Sequence, residues 1–184
     1  PRLGYVAPEG CAEVISGFTA FYLGAKSVYP EVVMDVVYTG AWEDAAQDSQ
    51  AAKTLVNRGC GVLGQHTDST GAATMAEQLG AFYVGFGSDQ SGHAPGAALL
   101  SAGVNWGLYF TQAAQGLLDG SGVPEEWNLG WAEGALYLTT LNDALAAPGT
   151  QEALDEAQAA LKAGTLHVFS GPIQWTDAQG EAFE

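Results

Sequence analysis

The hydrophobic positions of the chain change their period again and again. Residues 3–7 (Leu3-Gly4-Tyr5-Val6-Ala7) form an apolar run of strand length. Residues 13–28 then place Val14, Phe18, Phe21, Tyr22 and Ala25 at helical spacing. Glu13 in the first turn and Lys26 in the last suit the helix dipole, and Pro30 stops the helix. The pattern predicts a second strand over 32–38, a helix over 45–58 closed by Gly59, and a short strand over 61–65. Thr70 is placed to cap a helix that runs to Leu79 and closes on Gly80. A fourth strand is expected over 81–86, a fifth over 97–103, and a helix over 105–118. Strands separated by single helices imply a parallel sheet with right-handed crossovers, which is a doubly wound α/β lobe. Gly120-Ser121-Gly122-Val123-Pro124 reads as a turn or linker. Beyond it come two expected short strands, 128–132 and 135–139, and an amphipathic helix over 150–163 carrying Leu154, Ala157 and Leu161, with Gly164 as its cap. The chain thus divides into an α/β lobe over 1–120 and a C-terminal segment over 121–184.

In doubly wound sheets, ligands sit outside the carboxyl ends of the strands, where the strand order reverses. That rule selects five loops: 8–12, 39–44, 66–70, 87–92 and 104–106.

Composition narrows the picture. A chain of 184 residues is one domain or one large lobe, and buries roughly 70% of its unfolded surface without staples. Apolar residues make up 47%, yet no run reaches the ~20 residues of a membrane helix. No leader is visible; Pro1-Arg2 runs straight into the first strand, so the numbering is expected to begin within a mature protein. The net charge of −16, from 21 acids against 5 bases, argues against nucleic acid and anionic lipid as partners. The acidity reads as solubility or a saline habitat. Cys11 should lie at the C-terminal end of the first strand and Cys60 at the N-terminal end of the third. Five strand residues at ~3.3 Å put them roughly 17 Å apart, against a disulfide limit of about 7 Å, so no bridge is expected. Cysteine usage leaves the redox compartment open.

The loops carry the candidate chemistry. Gly85-Phe86-Gly87-Ser88-Asp89-Gln90 begins like a dinucleotide fingerprint, but Gln90 stands where the third glycine belongs and no ribose-binding acid follows in place. Asp89 can instead accept two hydroxyl hydrogen bonds from a sugar, or simply hold its own turn. His66 and Asp68 form a candidate acid–base pair, and with Ser88 a nominal triad, but no G-x-S-x-G elbow or oxyanion motif accompanies them. Polar binding is the stronger reading of that loop, and Asp68 alternatively caps the next helix. Trp42 offers a stacking face, or else covers the edge of the core. Cys11 lies near a helix N-terminus but has no histidine in its loop; a packed small side chain is the plainer reading. His66, His93 and His167 lack metal-ligand spacing, so neither a metal nor a cofactor is expected.

Taken in order, several stretches resemble the basic membrane protein family of substrate-binding proteins: type I periplasmic-binding-fold receptors of ABC transporters, often purine-nucleoside binders. The stretches are Gly4-Tyr5-Val6-Ala7, Glu13-Val14-Ile15-Ser16-Gly17-Phe18, Gly24-Ala25-Lys26-Ser27-Val28, Thr39-Gly40-Ala41-Trp42, Gln65-His66-Thr67-Asp68-Ser69, Gly87-Ser88-Asp89, Val104-Asn105-Trp106-Gly107 and Ser170-Gly171-Pro172-Ile173. The resemblance implies a small-molecule ligand, a nucleoside or nucleobase, clamped between two lobes. This chain would be the C-terminal lobe and tail, with the N-terminal lobe supplying the other half of the site. It implies Asp89 on ribose hydroxyls, with Trp42 and Asp68 lining the cleft. Two departures stand out. Glu9 occupies a position where relatives often carry a stacking aromatic, and Val104 lies where some carry a ligand-contacting lysine. The expected ligand-binding set is Glu9, Trp42, His66, Asp68, Asp89 and Asn105. The resemblance further implies an ABC permease as partner, an extracytoplasmic, lipid-anchored or periplasmic location, and no catalysis. Two alternatives stay open: the effector lobe of a regulator, which needs a DNA-binding segment upstream, and a small nucleoside-processing enzyme using His66, Asp68 or Cys11. A cleft face exposing Trp42 would also favour self-association.

Overall fold

A computed structural model describes residues 1–170 and, beyond them, the backbone of two short strands. Gly171-Pro172-Ile173 of the family-like motif lies outside the described residues. In chain order the elements are β1 (Arg2–Ala7), α1 (Ala12–Val28), β2 (Val33–Tyr38), α2 (Ala45–Asn57), β3 (Val62–Gln65), α3 (Gly71–Leu79), β4 (Phe82–Gly87), β5 (Ala98–Val104), α4 (Trp106–Asp119), β6 (Leu136–Leu138), α5 (Thr150–Lys162), β7 (Trp175–Thr176) and β8 (Ala182–Phe183). The main sheet runs β2-β1-β3-β4-β5-β6. Its first five strands are parallel, and β6 closes the edge antiparallel to β5. The stretch after Gly120 therefore contributes an edge strand to the lobe's own sheet.

Alternation along β1 builds two cores. Val6 faces α2 and α3 and packs with Leu55, Leu63, Tyr83 and a run of alanines. Tyr5 and Ala7 point the other way and pack with Val14, Phe18 and Phe21 of α1. The α2–α3 seam is built from Ala51, Ala52, Ala72, Ala73 and Ala76, all buried, so the two helices approach closely. Gly71 sits in that seam, and a methyl there would collide with the backbone of Ala45.

Local chemistry explains the boundaries, with some differences from the sequence reading. Asp44 caps α2 as an acceptor for Ala46 and Gln47 amides. At α3 the Thr70 side chain makes no cap; the Ser69 hydroxyl accepts from the Gly71 amide at 3.1 Å instead. That leaves Asp68 without the capping role considered for it. The strand expected over 128–132 does not form. The Ala135 amide bonds to the Gly130 carbonyl, and Glu133 accepts from the Gly130 amide, so the segment closes into a loop on itself. The helix expected over 150–163 forms as α5, but none of its residues is buried. Leu154, Ala157 and Leu161 instead line an open groove of about 710 Å³ shared with α1. Exposed apolar surface concentrates on α4, where Trp106, Phe110, Leu117 and Leu118 are all exposed, rather than on the half-buried Trp42. Among the described residues, no helix is long and apolar enough to cross a membrane.

Candidate functional site

The sheet reverses its order at β1, which lies between β2 and β3. The helices that follow β1 and β3 leave to opposite faces, which opens a crevice between their loops. Glu9 follows β1, Trp42 follows β2, His66 and Asp68 follow β3, Asp89 follows β4 and Asn105 follows β5. All six stand at the carboxyl edge, but the structure joins only the first four.

Trp42 is the joint between three loops. Its indole N–H donates to Glu9 Oε1 at 3.1 Å. Its carbonyl accepts from the Asp68 amide at 2.7 Å. Its ring meets the His66 imidazole edge-on, with centroids 6.4 Å apart. The turn that presents it is fixed by Thr39, whose amide bonds to Ala7 O and whose hydroxyl donates to Ala41 O, and by Gly40, whose positive φ of 79° suits a residue without Cβ.

His66 is not an open surface group; the residue is only 4% exposed. Its Nδ1 lies 3.2 Å from the Tyr5 hydroxyl, and its ring stacks on Phe86 with centroids 4.2 Å apart. Gly17 of α1 passes so close that a Cβ there would stand 2.6 Å from the imidazole. The other nitrogen, Nε2, has no hydrogen-bond partner and faces Glu13 Oε1 at 3.7 Å. Burial pulls the His66 pKa below its usual value, against an upward pull from Glu13 and Asp68, while burial pushes the Tyr5 phenol up. The imidazole is therefore neutral at pH 7. The candidate acid–base pair of His66 and Asp68 finds no side-chain contact: the side chains that meet His66 are Tyr5, Glu13, Trp42 and Phe86, and Asp68 reaches it only as a nearby charge.

Beneath this loop lies a polar scaffold. Gln65 is buried, and its side-chain amide donates to the carbonyls of Thr67 and Ser69, both at 2.7 Å. The Ser69 hydroxyl donates to the fully buried Asp48 carboxylate of α2. Asp48 Oδ1, Gln65 Oε1 and Thr67 Oγ1 remain without partners.

Asp89 and Asn105 stand apart. Asp89 is exposed and accepts from the Ser91 amide at 2.9 Å, which lowers its pKa and holds its own turn. Asn105 precedes α4 without capping it; its Nδ2 lies 3.5 Å from Gly134 O. Gln90, which broke the glycine fingerprint, is buried: its side-chain Oε1 accepts from the Tyr83 hydroxyl and its backbone amide donates to Ser101 Oγ. Tyr5, Glu13, Gly17, Gln65 and Phe86 were not singled out by the sequence. Phe86 carried a signal, because Phe82, Val84 and Phe86 alternate onto the His66 side, opposite Tyr83.

The arrangement offers an aromatic face and acceptor carboxylates. No serine or cysteine nucleophile meets His66, and among the described residues no three His, Cys, Asp or Glu side chains gather as a metal site.

Known proteins with similar sequences and folds bear on this edge. A purine-binding protein of Brucella abortus (strain 2308) is 32% identical over 174 residues, which is 95% of this chain and 49% of that protein. The chain thus spans about half the length of that curated relative. A solved ABC transporter solute-binding protein from Conexibacter woesei superposes with a TM-score of 0.70 at 18% identity, covering 90% of this chain and 56% of that one. A transcriptional activator from Bacillus halodurans superposes with a TM-score of 0.74 at 18% identity, covering 88% and 56%. The structural likenesses establish the fold, a lobe of the periplasmic-binding-protein kind, in proteins of two different roles. The sequence match is narrower: residues 3–165 fit the family described as ABC transporter substrate-binding protein, PnrA-like, and the chain belongs to that family.

Proposed function

We propose that this lobe is half of the binding cleft of an extracytoplasmic receptor that hands a purine nucleoside or nucleobase to an ABC importer. The observation that carries the reading is the Trp42 joint. An indole held by Glu9 and by the β3 loop presents a fixed stacking face at the switch point of the sheet. Identity to a purine-binding protein across 95% of the chain supports a planar base as cargo. Asp89, exposed and ionised, supplies the acceptor for sugar hydroxyls from β4. Asn105 and Asp68 line the same edge, and His66 acts from behind by holding Phe86 and α1. A second lobe closes over this edge, a permease receives the loaded receptor, and a lipid anchor or the periplasm keeps it outside the cytoplasm. The protein binds without turnover.

The test is a calorimetric titration of this chain with adenosine, guanosine, adenine and glucose, with the solutes recovered and analysed afterwards. The reading expects a purine compound to bind reversibly and return unchanged, with binding lost in Asp89→Ala. Heat from glucose alone, or release of free base from a nucleoside, would refute it.

A further inference from the structure

A polar cluster lies inside the lobe, between α2 and the end of β3. Asp48, in the first turn of α2, is fully buried. Gln65 ends β3 and Thr67 follows it, and they are 1% and 4% exposed. Ser69 ties the three together. Its hydroxyl donates to Asp48 Oδ2. Its carbonyl accepts at 2.7 Å from the Gln65 side-chain amide, which also donates to the Thr67 carbonyl at 2.7 Å. Three oxygens of this one network have no hydrogen-bond partner: Asp48 Oδ1, Gln65 Oε1 and Thr67 Oγ1.

The carboxylate is the deciding member. Among the described residues the ion pairs are Arg2–Asp35 and His66–Glu13, so no cationic side chain meets Asp48. Lys53, the nearest base along α2, is exposed. A buried carboxylate without a counter-charge is strongly disfavoured. The N-terminal turn of α2 offsets part of the charge. A proton does not complete the arrangement, because on Oδ1 it meets no acceptor. A water bridging the three oxygens is neutral and leaves the charge uncompensated.

The donor set is all oxygen: one carboxylate, one amide carbonyl and one hydroxyl. The Thr67 and Ser69 carbonyls stand beside them, each keeping a second lone pair. Hard oxygen donors suit alkali and alkaline-earth ions rather than transition metals. A single negative charge matches a monovalent ion, whereas calcium loops gather several carboxylates. We propose that Asp48, Gln65 and Thr67 bind an alkali-metal cation, sodium or potassium, and that the ion ties α2 to the loop after β3. The site holds one carboxylate, so no cluster of acids, histidines or cysteines marks it among the described residues. The net charge of −16 raises the concentration of cations around the chain, which favours filling a site of modest affinity. The proposal is independent of the cargo.

The test compares melting temperatures of this chain in sodium chloride, potassium chloride and N-methyl-D-glucamine chloride at one ionic strength, so that screening is held constant. An ion present at ten times its dissociation constant shifts the folding equilibrium about elevenfold, or roughly 3–6 °C for a chain of this size. Sodium or potassium is expected to raise the melting temperature by that amount over the bulky organic cation. Asp48→Asn, which keeps an acceptor for the Ser69 hydroxyl, should abolish the difference. Thr67→Val, which removes one oxygen at nearly constant shape, should raise the cation concentration required several-fold; where Asp48→Asn does not fold, this variant decides. Equal melting temperatures in the three salts would overturn the proposal and leave a bridging water in its place. A difference that persists unchanged in the variants would overturn it as well, since the ion then acts elsewhere. Stabilisation by millimolar calcium and by neither alkali ion would overturn the choice of a monovalent cation.

Discussion

Gly17 decides a contest between two opposing effects. It lies in the middle of α1, where replacing glycine by alanine stabilises a helix by roughly 0.5–1 kcal/mol. Yet an alanine methyl at this position would stand 2.6 Å from both Nδ1 and the adjacent ring carbon of His66. The imidazole has nowhere to retreat: Tyr5 holds its Nδ1, Phe86 stacks on its ring, and the residue is 96% buried. Overpacking against a pinned group costs about 1–3 kcal/mol, so Gly17→Ala is expected to destabilise the lobe by ~1–2 kcal/mol net, or roughly 3–6 °C in melting temperature. Urea unfolding followed by circular dichroism measures this. The same substitution made on a His66→Ala background, where the obstacle is gone, should become stabilising by about 0.5–1 kcal/mol. A Gly17→Ala variant more stable than the parent, or the same effect in both backgrounds, would refute the packing argument and with it the pinned His66.

Further expectations follow from other contacts. His66 has a folded pKa depressed by burial, so its contribution to stability is complete above the unfolded value of about 6.5 and is lost as pH falls through the window below it; His66→Gln should flatten that part of the urea-midpoint profile between about pH 7 and 5. Gln65→Ala leaves the carbonyls of Thr67 and Ser69 unpaired in the interior and should cost roughly 2–4 kcal/mol by denaturant titration. Trp42→Phe keeps a ring but loses the donor to Glu9, so amide exchange should quicken in the loops after β1 and β3 with only a small change in global stability. Cys60 is buried, donates to Leu3 O at 3.2 Å and has its thiol pKa raised by burial, whereas Cys11 is partly exposed; a thiol reagent should label Cys11 first and Cys60 only on unfolding.

What the sequence made legible was periodic. Five strands, the helices between them and the α5 helix follow from runs and spacings that any parallel α/β lobe must show, and the five loops followed from a topological rule. The failures have a common cause, which is that partners distant in sequence decide them. The stretch 128–132 has strand-like residues, but a loop bond between Ala135 and Gly130 claims its backbone. α5 is amphipathic as read, yet amphipathicity does not say whether a helix finds a surface to cover. In the sequence His66 is a loop histidine beside Asp68; only the fold brings Tyr5, 61 positions away, to its Nδ1. The pairing of Trp42 with Glu9, 33 residues apart, is equally invisible along the chain, although each residue was marked separately.

The alanine seam between α2 and α3 has a mechanical consequence. Long side chains in a helix interface can change rotamer and let two helices slide; methyl groups have no rotamers to change. With Ala51, Ala52, Ala72, Ala73 and Ala76 in contact and Gly71 against the Ala45 backbone, the two helices can move only together. They carry Asp44 at one end of α2 and Ser69 just ahead of α3, the anchors of the loops after β2 and β3. Any force on those loops is thus passed on undamped, and that layer of the lobe turns as a solid block.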